Sequence, residues 1–180
     1  VSTPRSVAKT FSSGFNLMSL PVKPINPNPA SVFFGLSPLV VYRFEADAQQ
    51  YEFYPTITRF NAVEPGRGYW IQPRSTTTIN VLGMPLAGTQ SIKLYPGWNL
   101  IGVPFLKPVA GATLMVKVGD RTMSVAEAVA SGVIDGNILR YDNAQRVYVP
   151  SAIGATNLEP WTGYWVLATQ AAELLISSPG

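Results

Sequence analysis

The chain has 180 residues, 47% of them hydrophobic and only 13% charged, with a net charge of +3 and neither His nor Cys. That is enough apolar content to bury a core, and about half the charge usual in soluble domains. The bases are scattered singly, no stretch reaches the ~20 apolar residues of a membrane helix, and the commonest general base, the thiol nucleophile and the softer metal ligands are all missing.

Two passages occur twice. Gly14-Phe15-Asn16-Leu17-Met18-Ser19-Leu20-Pro21 returns as Gly97-Trp98-Asn99-Leu100-Ile101-Gly102-Val103-Pro104, and Glu64-Pro65-Gly66-Arg67-Gly68-Tyr69-Trp70-Ile71 returns as Glu159-Pro160-Trp161-Thr162-Gly163-Tyr164-Trp165-Val166. The first pair is offset by 83 residues and the second by 95, so the second copy carries 12 extra residues between the landmarks. A repeat of this period predicts two tandem modules, residues 1–86 and 87–180, the second with the insertion.

Each module opens on a strand-turn-strand signal, read as a hairpin. Val7 to Phe11, Ser12-Ser13-Gly14 and Phe15 to Leu20 correspond to Ser91 to Leu94, Tyr95-Pro96-Gly97 and Trp98 to Val103. A short helix follows. Asn28 before Pro29 caps the first, and Ser124-Val125-Ala126-Glu127 is a capping box for the second, which Gly132 ends. The extra residues include Lys117 to Thr122, which read as an added hairpin tip.

A second hairpin spans Leu39 to Tyr54 around Ala46-Asp47-Ala48, matched by Ile138 to Val149 around Asp142-Asn143-Ala144, with Pro55 set against Pro150. A third pair, Gly68 to Gln72 with Thr76 to Leu82, is matched by Gly163 to Leu167 with Glu173 to Ser177. β-branched and aromatic residues dominate these runs. About six short strands and one short helix per module predict a mainly β chain of two small sandwiches or partly open barrels. Gly83 to Gly88 is a short, Pro-stiffened linker.

No catalytic set is expected. The acids fall in turns and caps: Asp47 and Asp142 in hairpin turns, Glu127 in the capping box, Glu64 and Glu159 before Pro. Gly66-Arg67-Gly68 lacks the third Gly and the helix of a dinucleotide site, and no calcium loop of the D-x-D-x-D-G kind is present. The reading is a non-enzyme without cofactor or metal.

Tyr69-Trp70 and Tyr164-Trp165 are adjacent ring pairs on strands, so each pair sends one ring to each face. Either all four rings are buried, one of each pair in its module core and one under a loop or neighbouring module, or one of each pair is exposed for stacking on a sugar or another subunit.

The motifs G-W-N-L-I-x-x-P and L-E-P-G-x-G-Y-W-V resemble modules of secreted and cell-surface proteins of bacteria and archaea. Phe15 stands where that pattern has Trp, and Trp161-Thr162 where it has its first Gly and the next residue. The resemblance implies an extracellular setting and no defined activity. A start at Val1 without Met fits a mature chain after signal-peptide removal, or an excised domain.

Two functions follow as expectations. The first is a structural subunit of an extracellular filament, pilus or surface layer, a homopolymer assembled by edge-strand pairing through Ser6 to Phe11 or Glu173 to Ser177, with Val7, Phe11, Leu174 and Ile176 at the interface. The second is a carbohydrate-binding module of a larger secreted protein, meeting surface glycans through Tyr69, Trp70, Tyr164 and Trp165. No nucleic-acid partner and no membrane span is expected.

Overall fold

The computed structural model describes residues 2–180, which are mainly β with two short α-helices. The first half contains β1 (Arg5–Phe11), β2 (Asn16–Ser19), β3 (Lys23–Pro24), α1 (Pro29–Val32), β4 (Val41–Glu45), β5 (Gln50–Tyr54), β6 (Gly68–Ile71) and β7 (Thr77–Met84). They form two antiparallel sheets, ordered β1-β7-β3 and β2-β6-β4-β5.

The second half repeats the plan. It contains β8 (Thr89–Leu94), β9 (Gly97–Gly102), β10 (Val109–Ala110), β11 (Met115–Val118), β12 (Arg121–Ser124), α2 (Val125–Ala130), β13 (Asn137–Asp142), β14 (Val147–Ala152), β15 (Asn157–Leu158), β16 (Gly163–Ala168) and β17 (Ala172–Ser177). Its sheets run β8-β17-β11-β12 and β9-β16-β13-β14, with a small β10-β15 ribbon. Each half is thus a two-sheet sandwich, and neither closes into a barrel. There are more strands per half than the six expected, because short pieces such as β3, β10 and β15 carry no hydrophobic alternation of their own. The extra residues build the β11-β12 hairpin, turning at Gly119 and widening one sheet by a strand.

Three hairpins per module were expected, and only the middle one, β4-β5 or β13-β14, is a hairpin. β1 pairs with β7 whereas β2 pairs with β6, so Ser12-Ser13-Gly14 carries the chain from one sheet to the other. β6 and β7 likewise lie in different sheets, as do β16 and β17. The hairpin register also sets Phe53, not Pro55, against Pro150, since Tyr42 faces Phe53 and Leu139 faces Pro150.

Side-chain alternation on β7 shows how each sandwich fills: Ile79 and Val81 point inward while Thr78, Asn80 and Leu82 point outward. The first core gathers Phe11, Met18, Phe33, Phe60, Tyr69 and their neighbours; the second gathers Leu94, Ile101, Leu114, Ile138, Tyr164 and theirs. Both helices are capped as their sequences demand, with Asn28 Oδ1 accepting from Ala30 N at 2.9 Å and Ser124 Oγ from Glu127 N at 3.1 Å.

β6 and β16 break the alternation, being buried on both faces over Gly68–Ile71 and Gly163–Val166. One face of each lies on its own core. The other lies on the other half of the chain, and that contact holds the candidate site.

Candidate functional site at the seam between the modules

The halves meet about an approximate twofold axis, and the repeated motifs are what meet. Met18 bridges to Thr162, and its counterpart Ile101 bridges to Arg67. Ser19 N donates to Trp161 O at 3.1 Å, and Gly102 N donates to Gly66 O at 3.0 Å. A Cβ on Gly68 would stand 2.6 Å from Leu100 Cγ, and one on Gly163 would stand 2.9 Å from Leu17 Cγ. Every one of these contacts has its mate under exchange of the two halves. On the axis, Ser19 meets its own counterpart Gly102, where a Cβ would lie 2.1 Å from that of Ser19. Only one of the two positions has room for a side chain.

The repeated polar residues serve this geometry. Tyr69 Oη accepts from Glu64 N at 2.9 Å and Tyr164 Oη from Glu159 N at 2.8 Å, so each buried phenol ties down the Glu-Pro turn that enters its strand. Burial pushes the Tyr69 phenol up to about 12 and raises that of Tyr164 as well, which keeps both neutral. In the first turn Gly66 has φ 86°; in the second Trp161 takes its place at φ 66°, a left-handed conformation an L residue enters at a cost of about 1–2 kcal/mol. The Trp161 ring packs edge-on to Phe11 of the other half, 6.3 Å between centroids, which offsets that strain.

Asn99 Nδ2 donates to Tyr95 O at 2.9 Å and Gly97 O at 3.1 Å while its Oδ1 accepts from Tyr95 N at 2.9 Å. Asn16 makes only the two equivalent donations, to Ser12 O and Gly14 O, and is less buried. Asn99→Ala is therefore expected to cost about 2–3 kcal/mol and Asn16→Ala about 1 kcal/mol in urea unfolding, since only the first strands buried groups fully. Equal losses would contradict this account.

Facing across the seam are the outer sides of the β2-β6-β4-β5 and β9-β16-β13-β14 sheets. Their centre is Leu17, Trp70, Leu100 and Trp165, flanked by Tyr42, Phe44, Leu139 and Tyr141. The rings interlock between halves: Trp70 stacks edge-on to Tyr141 at 5.0 Å, and Trp165 edge-on to Phe44 at 5.0 Å. Half of the chain's aromatic residues lie along this seam.

The seam opens into two grooves related by the same axis. One, about 530 Å³, is lined by Phe15, Tyr42, Tyr51, Phe53, Trp70 and Tyr141. The other, about 250 Å³, is lined by Phe44, Trp98, Leu139, Tyr148 and Trp165. The second has Leu139 in place of Tyr42 and Pro150 in place of Phe53, and is poorer in rings. In the larger groove Trp70 Nε1 donates to Tyr51 Oη at 3.2 Å. In the smaller, Tyr148 stands in the place of Tyr51 beside Trp165 Nε1, but the two do not reach good hydrogen-bond geometry. Burial raises the phenols of Tyr51 and Tyr148, so both remain protonated at neutral pH.

Beside the seam, the first module alone carries a chain of alternating charges. Arg59 pairs with Glu52, Arg43 Nη2 reaches Glu52 Oε2 at 2.9 Å, Arg43 Nε lies 2.8 Å from Glu45 Oε1, and Arg67 Nη2 lies 3.1 Å from the same oxygen. Arg43 also covers the Phe60 ring at 4.4 Å. Glu52 is 3% exposed, and the hydrogen bond from Arg59, with Arg43 beside it, holds its carboxyl below the usual carboxylate range. The arrangement is an ion-pair network. No group of three or more metal-ligating side chains occurs among the described residues.

The sequence-derived site residues fall as follows. Tyr69, Trp70, Tyr164 and Trp165 are all buried, at 0%, 8%, 3% and 7% exposure, so none offers an open stacking face on its own. The tyrosines fill the two cores, and the tryptophans floor the two grooves. Val7 and Phe11 turn inward from β1, an outer strand of its sheet. Leu174 and Ile176 lie in the second core, on a strand paired with β8 on one side and β11 on the other. Glu173 to Leu175 therefore has no open edge to offer a second chain, while Ile176 and Ser177 are paired on the β8 side.

Sequence reasoning missed Phe15, Tyr42, Tyr51, Phe53 and Tyr141, the walls of the larger groove. A signal was present: Tyr42 and Phe44 on β4 and Tyr51 and Phe53 on β5 share the face opposite Val41, Arg43 and Glu52. No protein-family model, no curated protein and no solved structure matches the chain.

Proposed function

We propose that the chain is a non-catalytic structural subunit of an extracellular filament, pilus or surface layer, joined to copies of itself by strand pairing. The observation that carries this reading is the state of β1 and β8, which are counterparts under the approximate twofold. Among the described residues β1 is paired only with β7 and β8 only with β17, so each sandwich has an open edge at its first strand, besides those at β5, β12 and β14. Such an edge is a template for another chain.

Pairing β1 of one copy with β8 of the next joins two different surfaces, and a contact of that kind propagates into a linear array unless its rotation closes. Val7 and Phe11 anchor β1 to its core while its backbone makes the joint; β17, with Leu174 and Ile176, backs β8. Lys9 and Lys93, exposed on the two strands, favour registers that keep them apart. A surface with few charges supports close association, and the absence of His and Cys supports a role without catalysis.

Sedimentation velocity on the wild type and on a double variant, Ser6→Lys with Ala8→Lys, tests the reading. Both side chains are exposed, so urea stability is expected to hold within about 0.5 kcal/mol. The wild type is expected to form concentration-dependent oligomers and the variant to stay monomeric. A wild type that is monomeric up to its solubility limit, or a variant that assembles equally well, would sink the proposal.

A further inference from the structure

We propose that the larger groove binds an uncharged polysaccharide, with sugar rings lying against Phe15, Tyr51 and Phe53. This site is separate from the β1 and β8 edges and does not depend on assembly through them.

Three observations carry it. First, these three rings are 42%, 48% and 39% exposed, in a chain that buries most of its other large apolar side chains. They converge on one concavity of about 530 Å³, within the range of small-ligand sites. Second, none of the six lining side chains bears a charge at neutral pH, so a phosphate or carboxylate placed there would lose water without gaining a cation. That argues for a neutral occupant, against nucleic acid and acidic glycans. Third, the polar groups are phenols: Tyr42, Tyr51 and Tyr141. A phenol both donates and accepts, as a sugar hydroxyl does. Because Trp70 Nε1 already donates to Tyr51 Oη, the Tyr51 hydrogen is left to be given to a ligand.

Proline-rich peptides also dock in aromatic grooves, but they present mainly carbonyl acceptors and make no use of phenols as acceptors. The hydroxyl-rich partner fits all three phenols. The smaller groove is a built-in comparison: Leu139 and Pro150 replace one phenol and one ring, and its volume is about 250 Å³, so it should bind more weakly.

The test is calorimetric titration of the whole chain with cellohexaose, xylohexaose, mannohexaose and laminarihexaose, alongside hexagalacturonic acid and decaproline, with tryptophan emission followed in parallel. At least one uncharged hexaose should bind and shift the emission. Phe53→Ala and Tyr42→Leu should each weaken that binding by about tenfold or more, while Trp98→Ala in the smaller groove should change it less than about twofold. Phe53→Leu preserves apolar bulk without the ring and should lose binding like the alanine variant. Thermal unfolding of each variant establishes that it is folded. Binding by none of the uncharged hexaoses, binding by hexagalacturonic acid or decaproline alone, or full binding by Phe53→Leu would each overturn the proposal.

Discussion

Gly102→Ala is expected to destabilise the protein by about 3 kcal/mol, and adding Ser19→Gly to the same chain is expected to return most of that loss. The new methyl would stand 2.1 Å from Ser19 Cβ and 2.5 Å from Ser19 Oγ, inside van der Waals contact with a residue that is fully buried. Neither strand can retreat: β9 is held by Gly102 N on Gly66 O, and β2 by Ser19 N on Trp161 O. The cost is overpacking rather than backbone strain, because Gly102 is not among the residues with positive φ. Removing the Ser19 side chain vacates the same space at the expense of one hydrogen bond, Ser19 Oγ to Thr162 O at 2.9 Å, a loss of about 1 kcal/mol. Urea unfolding followed by tryptophan emission measures both steps. A double variant no more stable than Gly102→Ala would show that the two positions do not share one space.

The second large effect is expected at Glu52→Gln, a loss of about 2 kcal/mol at neutral pH. Hydrogen bonds to charged groups contribute about 1.5–3 kcal/mol. Of the two guanidinium partners Arg59 is exposed and stays solvated, while Arg43 keeps Glu45 at 2.8 Å, so neither charge is left unpaired in the interior. Glu52 also fixes the direction of the pH dependence. Its folded pKa is depressed, so its contribution is fully present above the unfolded carboxylate pKa, about 4.3, and is lost as pH falls through the lower folded value. Wild-type stability should therefore drop in the acid range below about pH 4, and the Gln variant, lacking that proton uptake, should show a shallower acid limb. Parallel acid limbs for the two proteins would contradict the assignment.

How much of this was legible in the sequence depends on the range of the signal. The repeat marked two units, and the two apolar cores divide the same way, between Phe11 and Val81 and between Leu94 and Ile176. Helix caps at Asn28 and Ser124 were readable because the capping atoms lie within three residues of the groups they satisfy. Strand partners were not. Ser12-Ser13-Gly14 has the composition of a hairpin turn, yet it crosses between sheets, and nothing local tells a turn within a sheet from a corner between two. β17 ends the chain's strands but sits inside its sheet, so a terminal place in the sequence was no guide to an edge.

The ring pairs show the same limit. Period two correctly sent Tyr69 and Trp70 to opposite faces, but what covers the second face comes from residues some seventy positions away, such as Tyr141 and Tyr148. The larger groove draws on five separate strands or turns, each carrying one or two rings that read as ordinary strand aromatics. Only the approximate twofold brings them together.

That twofold axis also sets a constraint that a single chain escapes. Two identical chains meeting at an axis must place the same residue on both sides of it, so a pair of Ser19-bearing halves would collide and a pair of Gly102-bearing halves would forgo the hydrogen bond to Thr162. Within one chain the two positions are independent, so one half supplies the hydroxyl and the other supplies the space. The same freedom extends outward to the grooves, where one half carries Leu139 and Pro150 and the other Tyr42 and Phe53. In one chain the two sides of a dimer-like interface are separate positions, each free to differ from the other.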